Sequence, residues 1–305
     1  MFNCVKFVKK SMIEINPNAT PIPQLHAYLL GAVGPRPIAF ASTIDENGNV
    51  NLAPFSFFNV FSANPPILIF SPARSGRTNA TKHTYDNVKV VPEVVINIVN
   101  HSMVHQVSLA SAEYPKGVSE FEKSGFTPLE SKKIKPFRVK ESPVQIECKV
   151  NQVIELGTGG GAGNLIICEV LLLHLNEEIL NESRMIDPHK IDLVARMGGN
   201  WYCRASGNAL FEIDKPLSKM GIGVDAIPSE IKNSAILTGN HLGQLGNVEK
   251  LPSQTEVEEY KKQQELFFQE LKKSTNAKEE VHRKATVLLN LNRVEEAWKL
   301  LLALK

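Results

Sequence analysis

Between residue 37 and about residue 213 the chain is cut by turn residues into short, strand-length apolar runs, and this pattern constrains its fold more than any other feature. The run 38–44 ends at Asp45-Glu46-Asn47-Gly48-Asn49, and 50–53 begins the return. Asn-Gly tolerates the positive φ that a tight hairpin turn needs, so the two runs predict a hairpin. Residues 67–71, set off by Asn64-Pro65-Pro66, read as another strand, as do 94–99 and 165–175. Residues 144–150 alternate with period two, the mark of a half-buried strand. Residues 101–112 and 119–123 read as short helices. Several strands, hairpin turns and few long helices predict a mainly β barrel or sandwich rather than a parallel sheet.

The character changes at residue 214. Residues 220–252 are rich in Gly, Asn and short apolar groups and read as an irregular extended segment, stable only if packed on something, such as a partner subunit. From residue 254 the pattern is helical, with Val257, Tyr260, Gln264, Phe267 and Leu271 on one stripe. A second helical stretch covers 278–305, broken near Asn290-Leu291-Asn292, with Val294, Trp298 and Leu301 on one face. The 305 residues therefore divide into an arm (1–19), a main domain (20–213) and an extension (214–305). The first eleven residues are expected to be disordered or to precede the true start, since Met12 opens the more globular-looking sequence.

Charge and cysteine content exclude some classes. A net charge of +2 creates no field of one sign, so nucleic acid and anionic membranes are not expected partners. No run reaches the roughly 18–20 apolar residues of a membrane span. Cys4, Cys148, Cys168 and Cys203 lack zinc-like spacing and form no Cys-x-x-Cys, which favours reduced thiols and the cytoplasm. His101 and His105 are spaced for one helix face but have no third ligand nearby, so no metal is expected. Gly157-Thr158-Gly159-Gly160-Gly161-Ala162 matches a dinucleotide fingerprint in letters only. A strand follows it where the fingerprint needs a helix N-terminus, so a flexible hairpin loop is the better reading.

The informative stretch runs from Pro35 to Thr84. Ser42 and Thr43 place hydroxyls at a strand end. Ala53-Pro54-Phe55-Ser56-Phe57-Phe58-Asn59 reads as a loop of aromatics and small polar groups, suited to covering a flat polar ring. After Ser71 come Arg74, Arg77, Thr78, Lys82 and Thr84, cations and hydroxyls that suit a phosphate monoester. On residue chemistry alone, a buried aromatic loop followed by a polar surface loop is the simpler reading, and flavin mononucleotide is one of several phosphorylated aromatics the stretch would suit.

A resemblance changes that balance. Gly34-Pro35-Arg36-Pro37-Ile38-Ala39-Phe40-Ala41-Ser42-Thr43, Asn47-Gly48 and Asn51-Leu52-Ala53-Pro54-Phe55-Ser56-Phe57-Phe58-Asn59 together resemble the signature of the flavin reductase-like family. The likeness continues through Lys82-His83-Thr84, Asn87, Val95-Ile96-Asn97-Ile98, Ser119-Glu120-Phe121 and Glu141-Ser142-Pro143-Val144 to Met197-Gly198-Gly199-Asn200-Trp201. It implies the FMN-binding split β-barrel of flavoredoxin-like proteins, here with short helices and a C-terminal helical extension. It also implies a homodimer with a flavin near each subunit boundary. Carried onto this chain, the ring would rest against Ala53, Pro54, Phe55, Ser56, Phe57 and Asn59. Ser42, Thr43 and Ser71 would lie along the ribityl chain and phosphate, and Arg77, Lys82 and Thr84 would hold the phosphate, with Thr78 in the same cluster. The family commonly has Lys-Asp-Thr where this chain has Lys82-His83-Thr84.

The implied chemistry is hydride transfer from NADH or NADPH to flavin and on to an acceptor. That step needs positioning rather than an acid–base side chain, so no catalytic residue is named. The alternative is a non-catalytic FMN-binding or regulatory module whose C-terminal helices contact a partner protein.

Overall fold

The computed structural model describes residues 12–213, 215 and 220–304. The arm expected over the first eleven residues, Cys4 and the expected boundary at residue 214 lie outside them. The chain forms two compact units, one reaching to Phe211 and the other starting at Glu212.

The first unit opens with helix α1 (Ile22–Ala32) and continues through strands β1 (Ala39–Ile44), β2 (Val50–Phe55), β3 (Phe58–Ala63) and β4 (Pro66–Phe70). Helix α2 (His83–Val90), strand β5 (Glu93–Ile98) and helices α3 (Val104–Leu109) and α4 (Glu120–Ser124) follow. A two-residue ribbon, β6 (Pro128–Leu129) with β7 (Arg138–Val139), precedes the long hairpin β8 (Val144–Glu155) and β9 (Asn164–Leu175). A last ribbon pairs β10 (Val194–Arg196) with β11 (Tyr202–Arg204).

Seven strands form one antiparallel sheet in the order β2-β1-β5-β8-β9-β4-β3. This order dictates the shape. Laid flat, its edge strands would stand roughly 29 Å apart at about 4.8 Å per strand gap. Yet those edges, β2 and β3, are joined by only Ser56 and Phe57, and three Cα–Cα steps reach at most about 11 Å. The sheet must therefore roll until its edges approach, which makes the split barrel.

Alternate residues of the rolled strands serve two cores. Ala39, Ala41, Phe70, Ile96, Ile146, Cys148 and Ile166 pack in one. Ile38, Phe40, Leu52 and Val99 pack in the other, under Met103, Val107 and Phe121. Because β1 is covered on both faces, all six of its residues are buried.

The expected hairpin and the strands over β4, β5, β8 and β9 are present, with shifted ends. The 101–112 helix is shorter: one 3-10 turn (His101–Met103) and then α3. The 119–123 helix starts one residue later because the Ser119 side chain accepts from the Glu122 N–H and caps it. The loop expected over 53–59 is not a loop. Its first part completes β2 and its last part opens β3, with Ser56-Phe57 between them. Pro54 is compatible with β2 because β2 is an edge strand, whose outward side needs no N–H.

The second unit is helical: α5 (Ser229–Lys232), α6 (Gly239–Gly246), α7 (Gln254–Gln263), α8 (Glu265–Leu271), α9 (Ala277–Asn290) and α10 (Val294–Leu302). The expected break near Asn290 to Asn292 separates α9 from α10, whereas the single stripe expected from Val257 to Leu271 is divided at Gln264, between α7 and α8. The 220–252 segment corrects its expectation, for it contains two helices. Thr238 and His241 close a capping box at the start of α6. Ile227, Ile231, Leu237 and Leu245 are buried with Trp298 in the unit's own core, and the Trp298 indole N–H donates to the Leu245 carbonyl at 3.0 Å. The glycines that masked the helix serve close packing: a Cβ on Gly221 would stand 2.4 Å from the Gly246 carbonyl oxygen.

Among the described residues no helix is long and apolar enough to cross a membrane, and no group of three His, Cys, Asp or Glu could hold a metal ion. His101 and His105 are both exposed.

Candidate active site

A cleft of about 260 Å³ opens beside β2. One wall is Asn51, Ala53, Pro54 and Phe55 of β2. Ser75, Thr78, Thr81 and Lys82 come from the segment before α2, and His83 and Thr84 from its first turn. Ala110 to Tyr114, after α3, and Glu120 of α4 close it.

The start of α2 bears on anion binding. Lys82 is its N-cap, and no side chain caps the free N–H groups of the first turn. Such groups carry partial positive charge and accept an anionic ligand. The turn is held on the sheet by a buried polar knot. The Asn51 amide donates to Thr84 Oγ1 at 2.9 Å and to Thr43 Oγ1 at 3.1 Å, and the Asn87 amide donates to Thr43 at 3.1 Å. One residue from β1, one from β2 and two from α2 thus fix where Lys82 stands.

The segment between β4 and α2 is positioned by the glycine run, which is the hairpin loop between β8 and β9 as expected. The loop is not slack. The Arg74 N–H donates to the Ala162 carbonyl at 2.8 Å and the Gly161 N–H to the Arg74 carbonyl at 3.0 Å. The Asn79 amide donates to the Thr158 carbonyl at 3.0 Å. A Cβ on Gly160 would lie 3.1 Å from the Ser75 carbonyl oxygen, so the run is glycine-rich because two backbones meet there. Arg74 is occupied within its own loop, its guanidinium bonded to the Asn79 side chain and carbonyl.

Lys82 lines the cleft, exposed Arg77 stands beside it, and one carboxylate bridges the two cations. Glu113 Oε1 lies 2.7 Å from Lys82 Nζ, and Oε2 lies 3.2 Å from an Arg77 terminal nitrogen. The Lys82 hydrogen bond and charge, with help from Arg77, hold the Glu113 carboxyl below its ordinary range. Glu120 behaves oppositely. Burial pushes its carboxyl up, against the Leu52 N–H it accepts at 3.0 Å and the charge of His83.

The structure sorts the expected residues. Ala53, Pro54, Phe55, Thr78, Lys82 and Thr84 line the cleft, and Arg77 reaches it through Glu113. Ser42 and Thr43 are 0% exposed and do not line it. Thr43 belongs to the knot, and Ser42 Oγ has no protein partner. Ser56, Phe57, Asn59 and Ser71 also lie outside the lining. Ser71 is buried against Gly163, where a Cβ would come 2.7 Å from its hydroxyl. Arg36 of the proline-rich signature donates to the Leu30 and Val33 carbonyls at the end of α1 and, at 2.7 Å, to that of Met197. Sequence reasoning missed the site roles of Asn51, Glu113 and Glu120. Asn51 and Glu120 lay inside quoted motifs, but Glu113 had no local signal.

The sequence model of the flavin reductase like domain matches residues 32–190. An uncharacterized protein of Aquifex aeolicus (strain VF5) is 36% identical over 189 residues, 62% of this chain and 94% of that protein. The solved structure of nitrilotriacetate monooxygenase component B from Bacillus cereus superposes with a TM-score of 0.62 at 32% identity, covering 67% of this chain and 99% of that one. A split-barrel-domain structure from Shewanella frigidimarina NCIMB 400 gives a TM-score of 0.55 at 28% identity, covering 65% and 95%. The family match ends before the helical unit begins.

Proposed function

The chain belongs to the flavin reductase-like family, and from that premise we propose that it binds FMN in the β2–α2 cleft and serves as an NAD(P)H-dependent oxidoreductase. The observation that carries the reading is the pair Arg77 and Lys82, drawn together on one carboxylate beside an uncapped helix start and an apolar strand wall. That donor set fits a phosphate monoester attached to a flat ring system.

Bound flavin supplies the hydride-accepting chemistry. The protein's own residues bind and orient. Lys82 and Arg77 neutralise the phosphate, and the Thr78 and Thr84 hydroxyls offer further hydrogen bonds. Ala53, Pro54 and Phe55 cover the ring. Phe55 is itself fixed by Phe70, with ring centroids 5.6 Å apart. Ser42, Thr43 and Ser71 act from behind this wall. Glu120 lines the same cleft, where burial pushes its carboxyl up against the Leu52 N–H it accepts.

We place the protein in the cytoplasm, and read it as a homodimer as the family resemblance implies. Free Cys148, Cys168 and Cys203 support the first. The edge strand β3 supports the second, with Val60 and Phe61 64% and 63% exposed. Reduced flavin or its electrons would pass to an acceptor or a partner component. The Bacillus cereus relative, named as one component of a monooxygenase, supports that route.

The test is flavin binding followed by reduction. Purified protein should bind FMN and bleach under anaerobic NADH or NADPH. Exchanging both cations, Arg77→Gln with Lys82→Met, should weaken FMN by about 2–4 kcal/mol, since charge-assisted bonds are lost. Riboflavin, lacking the phosphate, should bind as before. Equal loss for both ligands would move the phosphate elsewhere, and FMN binding without bleaching would support the non-catalytic module.

A further inference from the structure

The Glu113 carboxylate occupies both phosphate-binding cations at once, one oxygen on each. It is brought there by its own backbone. The turn after α3 is built from local bonds: Ala112 N–H to the Leu109 carbonyl at 3.2 Å, Tyr114 N–H to Ala112 at 3.0 Å and Val118 N–H to Pro115 at 3.1 Å. The same carboxylate lines the cleft beside Thr78, Lys82 and Thr84. Two positive groups therefore carry one built-in negative group.

A phosphate monoester bears a charge of about −1.5 to −2 at neutral pH. To reach Arg77 and Lys82 it must displace Glu113 or sit beside it. Displacement gives up both ion pairs, and cohabitation places like charges on the same cations. Both routes weaken a phosphorylated ligand, and neither touches a ligand without phosphate. We propose that Glu113 is an internal competitor for the phosphate of FMN, which keeps the flavin exchangeable between turnovers rather than permanently held. This rests on the FMN reading above.

Titration of FMN and of riboflavin into the full-length wild type, Glu113→Gln and Glu113→Ala tests it, with release rates measured by stopped flow. Both variants should bind FMN more tightly, by up to about tenfold for two exposed ion pairs, and release it more slowly. Riboflavin affinity should stay within about twofold. Unchanged or weaker FMN binding in folded variants overturns the competitor role, as does an equal gain for riboflavin. If neither the wild type nor the Glu113 variants prefer FMN over riboflavin, the phosphate reading itself falls, and the competitor with it. The two failures are thus told apart by the preference in the variants.

Discussion

Asn51 offers the sharpest test of how the sheet positions the first turn of α2. Its amide serves two hydroxyls, Thr84 at 2.9 Å and Thr43 at 3.1 Å. Asn51→Leu keeps the volume and removes both bonds. Two neutral hydrogen bonds contribute about 1 kcal/mol each, and a buried hydroxyl left unpaired costs about 1–3 kcal/mol. Thr84 is 1% exposed and loses this partner, whereas Thr43 keeps Asn87. The loss should total about 2–4 kcal/mol, and each kcal/mol lowers the thermal midpoint by about 2–4 °C in a unit of this size. Thr84→Val alone should cost about 1 kcal/mol, since Asn51 retains Thr43. The double variant should cost less than the sum by about 1–2 kcal/mol, because the stranded hydroxyl is then gone. Calorimetry of the full chain gives the cycle. FMN affinity in Asn51→Leu should fall by about tenfold as Lys82 and Thr84 lose their fixed place. Additivity within about 0.3 kcal/mol together with unchanged FMN binding would refute the knot as the device that sets the site.

Two further predictions concern the barrel. Glu147 is wholly buried on β8 and accepts the Lys132 N–H at 2.9 Å and the Lys133 N–H at 2.6 Å, with His174 Nε2 at 2.7 Å. Burial pushes its carboxyl up, but these hydrogen bonds outweigh burial and hold it below the ordinary range. The stabilisation is therefore full above the ordinary glutamate pKa of about 4.3 and is lost as pH falls through the lower folded value. Glu147→Gln should cost about 3–5 kcal/mol at pH 7 and flatten the acid limb of a stability–pH curve; an unaltered acid limb would count against it. Burial also pushes the Cys148 thiol up to about 12, and that of Cys168 well above its usual value. Native protein treated with iodoacetamide and mapped by mass spectrometry should carry the label at half-exposed Cys203 and none at Cys148 or Cys168.

What the sequence revealed, and what it hid, follows the range of each interaction. The β1–β2 hairpin was legible because Asn47-Gly48 sits between two strand-length runs. The start of α4 was legible because Ser119 caps it within three residues. Strand β3 was not, since Pro54, Ser56 and Asn59 carry loop chemistry. What makes 58–63 a strand is pairing with β4, and what rolls the sheet is the two-residue link between its edges. Thr43 and Thr84 were legible as polar residues in the right stretch, but not in their roles. A hydroxyl looks the same in a sequence whether it meets a ligand or an asparagine from another element, and here Asn51 reaches Thr84 across 33 positions. Glu113 marks the far end of this scale. It meets Lys82 and Arg77 across 31 and 36 positions and lies in no recognisable motif. The cations announced an anion site, and only the folded chain shows that the protein has supplied an anion of its own.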